Sequence, residues 1–248
     1  MIWQTRKGSQ HTGFLQGELF RLVESQQQVA TMSYVDTLEE QALLEEMLES
    51  IKPSFPEDSD TYHYLLKTPF RYPPLKWGSR FGRTHEPGIF YGGCGIEVAL
   101  AESAYYRMVF WFSMDADSVK DKMRTEHTLF SVNYKTSSGI QLHVAPFDEY
   151  LAELAHPSSY QSSQLLGSSM REAAVDVFEY QSVRDPEKGT CVGLFTPNAF
   201  VQKKPREMSQ WFCETSATDV SFKQVDAREV IRFPIDCFLV NNELPLPA

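Results

Sequence analysis

The chain has no Cys-x-x-Cys pair, no His-Glu-x-x-His and no uninterrupted apolar run of membrane-spanning length. Its four cysteines, Cys94, Cys191, Cys213 and Cys237, are widely scattered. Zinc-ribbon and thioredoxin-like readings therefore have nothing to rest on. The six histidines show no ligand spacing either, and the expectation is a protein without a metal. Scattered cysteines in a chain of 248 residues point to reduced thiols and a cytoplasmic protein. The N-terminal MIWQTRKGSQHTGFLQGELF lacks the apolar core of a signal peptide. A membrane span needs about 18 apolar residues in a row, and the longest apolar stretch is interrupted by Glu102 and Arg107. Basic residues are also short: 23 Lys and Arg against 33 Asp and Glu leave a net charge of −10. That argues against direct nucleic-acid binding, which needs a basic face. No internal repeat is visible.

What is present is an ordinary globular composition, 42% hydrophobic and 23% charged, on a chain long enough to bury a sizeable core. Residues 1 to about 18 read as a loose lead-in, and Leu19–Thr31 is ambiguous between strand and helix. Thr37–Lys52 reads as a helix. Thr37 opens a capping box with Glu40, and Leu38, Ala42, Leu43, Met47 and Leu48 follow helical spacing. Pro53–Asp60 is a loop by composition. A soft boundary there divides an N-terminal extension, residues 1–60, from a main domain, residues 61–248.

The stretch Thr68–Phe112 organises that domain. It carries Arg71, Arg80 and Arg83, then the apolar run Gly88-Ile89-Phe90-Tyr91, then Gly92-Gly93-Cys94-Gly95 and an uninterrupted segment from Ile96 to Phe112. The apolar run predicts a short strand, the glycine cluster a turn, and Ile96–Phe112 a helix. Around Glu102 on that helix lie Val98, Tyr105, Tyr106 and Val109, with Ile96, Leu100 and Trp111 opposite. The helix is apolar nearly all round and is expected to be buried. A carboxylate in such a surround is costly unless something meets it. A ligand or an ion pair with Arg80, Arg83 or Arg107 would satisfy it, and periodicity does not choose between them.

Downstream, an acidic loop is expected over Met114–Asp121. Strands are expected at Thr128–Tyr134, Ile140–Val144, Val175–Tyr180, Thr190–Phe195, Val220–Phe222 and Val230–Phe233, and helices at Asp148–Ala155 and Ser159–Ala174. Strands clustered around a few helices indicate an α+β fold, not alternating βαβ units. The glycine cluster ahead of a helix could cradle a phosphate, but it lacks the Walker lysine and does not satisfy Gly-x-Gly-x-x-Gly. Cys94 near a helix N-terminus, with His85 as base, is a competing thiol-nucleophile reading.

Gly78-Ser79-Arg80-Phe81-Gly82, Gly88-Ile89-Phe90-Tyr91-Gly92 and Ala99-Leu100-Ala101-Glu102 resemble the core of the RES domain family, named for its Arg, Glu and Ser. Tyr180-Gln181-Ser182-Val183-Arg184-Asp185-Pro186 resembles that family's serine segment. Arg21-Leu22-Val23-Glu24-Ser25-Gln26 and Phe70-Arg71-Tyr72-Pro73-Pro74-Leu75 resemble its longer members. The blocks run in order from about Phe20 to Phe200. Members commonly have an asparagine after the serine segment; Thr190-Cys191 stands near that place here.

The resemblance implies an ADP-ribosyltransferase-like mixed or antiparallel sheet with flanking helices. It also implies a toxin that consumes NAD+ at the nicotinamide–ribose bond, as glycohydrolase or phosphorylase. A protein ADP-ribosyltransferase is an alternative, and a catalytically inactive binding module is one of another class. NAD+ is the substrate, with no further cofactor, and the implied partner is a small antitoxin with an Xre-like helix-turn-helix; such toxins commonly associate as homodimers. Glu102 is then the carboxylate that stabilises an oxocarbenium-like transition state. Arg80 grips pyrophosphate, with Arg71 and Arg83 near enough to share the task. Tyr91 stacks on nicotinamide or ribose, Gly92 touches phosphate, and Ser182 keeps the carboxylate aimed. Arg184 and Asp185 read as a local ion pair.

Overall fold

The computed structural model describes residues 1–25, 34–55, 59–74, 76–114 and 121–247. Most of the expected acidic loop at 114–121 lies outside the described residues, as do the end of the 19–31 stretch, the middle of the 53–60 loop and Leu75. The strands are β1 (Gly13–Glu24), β2 (Phe90–Gly93), β3 (Met123–Gln141), β4 (Val177–Gln181), β5 (Thr190–Leu194), β6 (Glu207–Thr215), β7 (Asp219–Gln224) and β8 (Ile231–Pro234). The helices are α1 (Ile2–Thr5), α2 (Leu38–Ser50), α3 (Tyr64–Arg71), α4 (Ile96–Phe112), α5 (Leu151–Leu154) and α6 (Gln161–Glu172).

The eight strands form one sheet in the order β1-β2-β5-β4-β3-β6-β7-β8, and β1 also pairs with β3, so the first five close on themselves. Every pairing is antiparallel except β3–β4. The fold is therefore α+β around a mixed, mainly antiparallel sheet, as expected. One edge of β3 runs along β1. Its other edge is shared, Met123–Ser131 facing β6 and Gly139–Gln141 facing β4. β3 is buried without a break from His127 to Val132, the burial of a strand covered on both faces. What reads in sequence as two strands is one: β3 takes in Thr128–Tyr134 and the start of Ile140–Val144, and ends at Gln141, with 142–144 in bends.

Three apolar clusters hold the layers. Leu19, Phe90, Phe130, Val132, Val177, Val192 and Leu194 form one of them, from β1 to β5. α4 lays Leu100, Ala104 and Met108 against Leu129, Trp211 and Phe222. Phe81, Phe147, Leu166, Met170 and Phe178 form the third, under α6. Each such fully buried large side chain contributes roughly 1.5–3 kcal/mol.

Several expectations are corrected. β1 starts at Gly13, inside the expected lead-in, and Trp3 is buried. β1, read as part of an extension, is an integral strand paired with β3 from end to end. α4 has the expected bounds, but only one side is buried; Tyr106, Phe110 and Phe112 are about half exposed. Gly92 and Gly93 do not turn the chain. They continue β2 and pair with Val192 and Cys191 of β5. Their lack of a side chain serves close approach: a Cβ on Gly92 would come within 2.9 Å of Leu19, and one on Gly93 within 2.7 Å of the Ala99 nitrogen. β6 was not anticipated at all. Thr37 caps α2 as expected, its hydroxyl accepting from the Glu40 N–H at 3.1 Å, but the return bond of the box is displaced by one residue: the Glu40 carboxylate accepts from the Asp36 N–H at 2.9 Å.

Candidate active site

β1 and β2 meet through the single pair Phe20–Gly93. A cavity of about 350 Å³ opens where they meet, lined by residues of β1, β2, α4, β4 and β5 and by the Ser79–Arg80 turn. Arg80, Tyr91, Gly92 and Glu102 all line it.

Glu102 sits two turns into α4, which the close packing of Gly93 on Ala99 sets directly against β2. It makes no ion pair among the described residues. Arg107 pairs instead with Glu24 at 2.8 Å and donates to Thr125. The ion-pair reading of Glu102 thus loses its partners. Its Oε1 accepts from the Ser182 hydroxyl at 2.6 Å. Ser182 is buried in the turn after β4, and its oxygen accepts from the N–H groups of Arg184 and Asp185 at 3.2 and 3.0 Å. With its acceptor side occupied, its proton is directed at the carboxylate. The neighbouring Arg184 and Asp185 do not pair with each other. The Arg184 guanidinium lies 3.5 Å from the Tyr105 ring centroid and donates to the Pro157 carbonyl. Asp185 accepts from the Gly189 N–H at 2.8 Å and closes the turn.

Tyr91 is fixed by its hydroxyl, which accepts from the Phe81 N–H at 3.1 Å and bonds the Ser79 hydroxyl at 3.0 Å. Burial pushes its phenol up to about 12, so it stays neutral. Arg80 is anchored through Nη1 to the carbonyls of His156 at 2.8 Å and Leu154 at 3.3 Å, and its guanidinium lies over the Tyr160 ring. Arg71 lies elsewhere. It pairs with Glu49 at 2.6 Å, donates to the Pro53 carbonyl and stacks on Phe55, tying the end of α2 to α3. Arg83 does not line the cavity either; its backbone N–H donates to Glu86 at 2.7 Å.

The structure adds a cation to which sequence reasoning gave no role. Arg21 of β1 lines the cavity and donates to the Tyr91 carbonyl at 2.6 Å. Its Nε is buried without a partner. Burial lowers its pKa to about 10, which leaves it charged at neutral pH. The signal that could have found it is an arginine between Phe20 and Leu22 in mid-strand, where a cation must have a reason to be buried. Tyr180, Ser103, Tyr106 and Cys191 complete the wall.

The thiol-nucleophile reading of Cys94 does not survive. Its thiol is pushed up to about 11 by burial and by Glu179, and it points to Tyr134 at 3.9 Å; His85 is exposed. Cys94→Ser is therefore expected to leave activity within about twofold of the parent chain, as measured by turnover of the purified variant, because no reacting group is removed. All four cysteines are free thiols. Among the described residues no three His, Cys, Asp or Glu side chains gather as metal ligands, and no helix is long and apolar enough to cross a membrane.

No curated protein matches the sequence. A chain in the crystal structure of the M. tuberculosis MbcT–MbcA toxin–antitoxin complex shares the fold, with a TM-score of 0.50 over 83% of this chain and 90% of that one, at 9% identity. The RES domain model matches residues 57–216, more than half of the sequence and a span that contains Arg80, Tyr91, Glu102 and Ser182, so the chain belongs to the RES domain family.

Proposed function

We propose that this protein is the toxin of a toxin–antitoxin pair and cleaves the nicotinamide–ribose bond of NAD+. The observation that carries the reading is the Glu102 carboxylate, free of any ion pair among the described residues, with one oxygen held by Ser182 and two arginines lining the same cavity. Family membership and the fold shared with a toxin–antitoxin complex support it.

The chemistry suits the residues. Nicotinamide in NAD+ is already cationic and departs as a neutral base, so no general acid is required. The positive charge that develops on the ribose is what a carboxylate stabilises. Arg21 and Arg80 supply cations for the pyrophosphate, arginine's planar donors suiting paired phosphate oxygens. The Tyr91 ring, held rigid, is a stacking surface. The negative surface charge suits a partner with a basic face, such as a small DNA-binding antitoxin.

The test is mass analysis of products from NAD+ with and without inorganic phosphate. Free nicotinamide is expected in both. ADP-ribose alone identifies water as acceptor, and a phosphate-dependent mass increase identifies a phosphorylase. ADP-ribose attached to added protein identifies the transferase alternative. An intact NAD+ pool under all conditions would sink the enzymatic reading. Because the leaving group needs no Lewis acid, turnover should survive chelator treatment; loss restored by added zinc or magnesium would contradict this.

A further inference from the structure

Oε1 of Glu102 has a second neighbour. The Cys191 thiol of β5 lies 3.6 Å from it, with the sulfur as donor. We propose that Cys191 is a positioning residue: with Ser182 it saturates Oε1, fixes the carboxylate plane and leaves Oε2 as the oxygen that meets substrate.

Three observations carry this. The two donors come from independent places, Ser182 from the turn after β4 and Cys191 from β5 itself, and converge on the same oxygen. Cys191 has no freedom to drift. It is 1% exposed, and its backbone is paired on both sides, with Gly93 of β2 and with Tyr180 of β4. The thiol is also kept protonated. Burial raises its pKa well above the ordinary value, and the Glu102 charge raises it further. A protonated thiol beside a carboxylate donates; it does not attack. A thiol is a weak donor, but its acceptor is charged, and such hydrogen bonds are the stronger ones. Cysteine also suits the space: small, apolar and readily buried in a strand.

The inference rests on Glu102 being the working carboxylate, so Glu102→Gln is assayed beside the cysteine variants. Cys191→Ala removes the donor; Cys191→Ser restores one. With NAD+ as substrate, Cys191→Ala is expected to lower kcat about three- to tenfold with little change in KM. Cys191→Ser should keep both kcat and KM near those of the parent chain.

A merely structural thiol gives a different pattern: both variants melt lower while the folded protein keeps the parental kcat and KM, which overturns the inference. Should only Cys191→Ser fold, loss of its kcat in a folded protein overturns it equally. Full turnover by Glu102→Gln removes the underlying reading. An inert Glu102→Gln beside a Cys191→Ala with parental kcat overturns this inference alone.

Discussion

Glu102→Gln is expected to fold, to melt near the temperature of the parent chain, to bind NAD+ and to turn it over about 10²–10³-fold more slowly. The structural part follows from the contacts. Ser182 and Cys191 both donate to Oε1, and a glutamine carbonyl can still accept both, in weaker neutral bonds. No ion pair is broken, so the several-kilocalorie penalty for orphaning a buried charge does not arise. The kinetic part follows from charge. If the carboxylate acts on positive charge that appears only in the transition state, its neutralisation lowers kcat and leaves KM nearly alone. Steady-state kinetics, a melting curve and calorimetric NAD+ binding on one preparation check all three claims. In cells, the parent chain produced without an antitoxin should drain NAD+ and stop growth, and the variant should be tolerated. A folded variant with full turnover would remove Glu102 from the chemistry.

Arg21→Ala is expected to weaken NAD+ binding about 10–100-fold, read as a rise in KM and in the dissociation constant, with a smaller effect on kcat. The magnitude is that of losing one or two charge-assisted hydrogen bonds. Arg21 is a stronger candidate than Arg80 for this effect. Nη1 of Arg80 is committed to two carbonyls, those of Leu154 and His156, whereas Nη1 of Arg21 makes one such bond, to the Tyr91 carbonyl. Arg21→Lys should rescue only in part, because a point charge lacks the fork. Arg80→Ala should behave differently: it releases two carbonyls, so its melting temperature should fall along with affinity. An Arg21→Ala protein that binds NAD+ as the parent does would move the anion-binding role to Arg80.

The site was legible where function and local pattern coincide. Glu102 declares itself as an acid in an apolar helix, and the α4 bounds follow from an uninterrupted run ending in aromatics. Arg80 and Tyr91 were found through the motif blocks around them. Arg21 and Cys191 were not, because what gives them a role is distance in space: one donates to a carbonyl 70 residues away, the other to a carboxylate 89 residues away. Arg71 misled for the converse reason. Nearness in sequence to Arg80 suggested a shared phosphate site, but α3 carries it away to Glu49 and Phe55. Among the elements, glycine statistics favoured a turn at Gly92–Gly93, and tertiary crowding by Leu19 and Ala99 overrode them. β6 escaped because Glu207, Ser209, Gln210 and Glu214 mask its few apolar residues, and one flank of β3 supplies the pairing that makes it a strand.

Closure of the five-strand ring has a temporal consequence. On a ribosome, α4 emerges carrying Glu102, but both groups that hold the carboxylate lie far behind it: Ser182 follows by 80 residues and Cys191 by 89. At about 5–20 residues per second, translation takes roughly 4–18 s to supply them, and pairing β1 with β3 across so long a separation adds a slow step. Products of interrupted synthesis that stop before β5 hold an acid and two arginines but no finished pocket. For a protein proposed to be a toxin, a chain released before Thr190 lacks β5 and Cys191, so the proposed activity waits at least until that strand has been made.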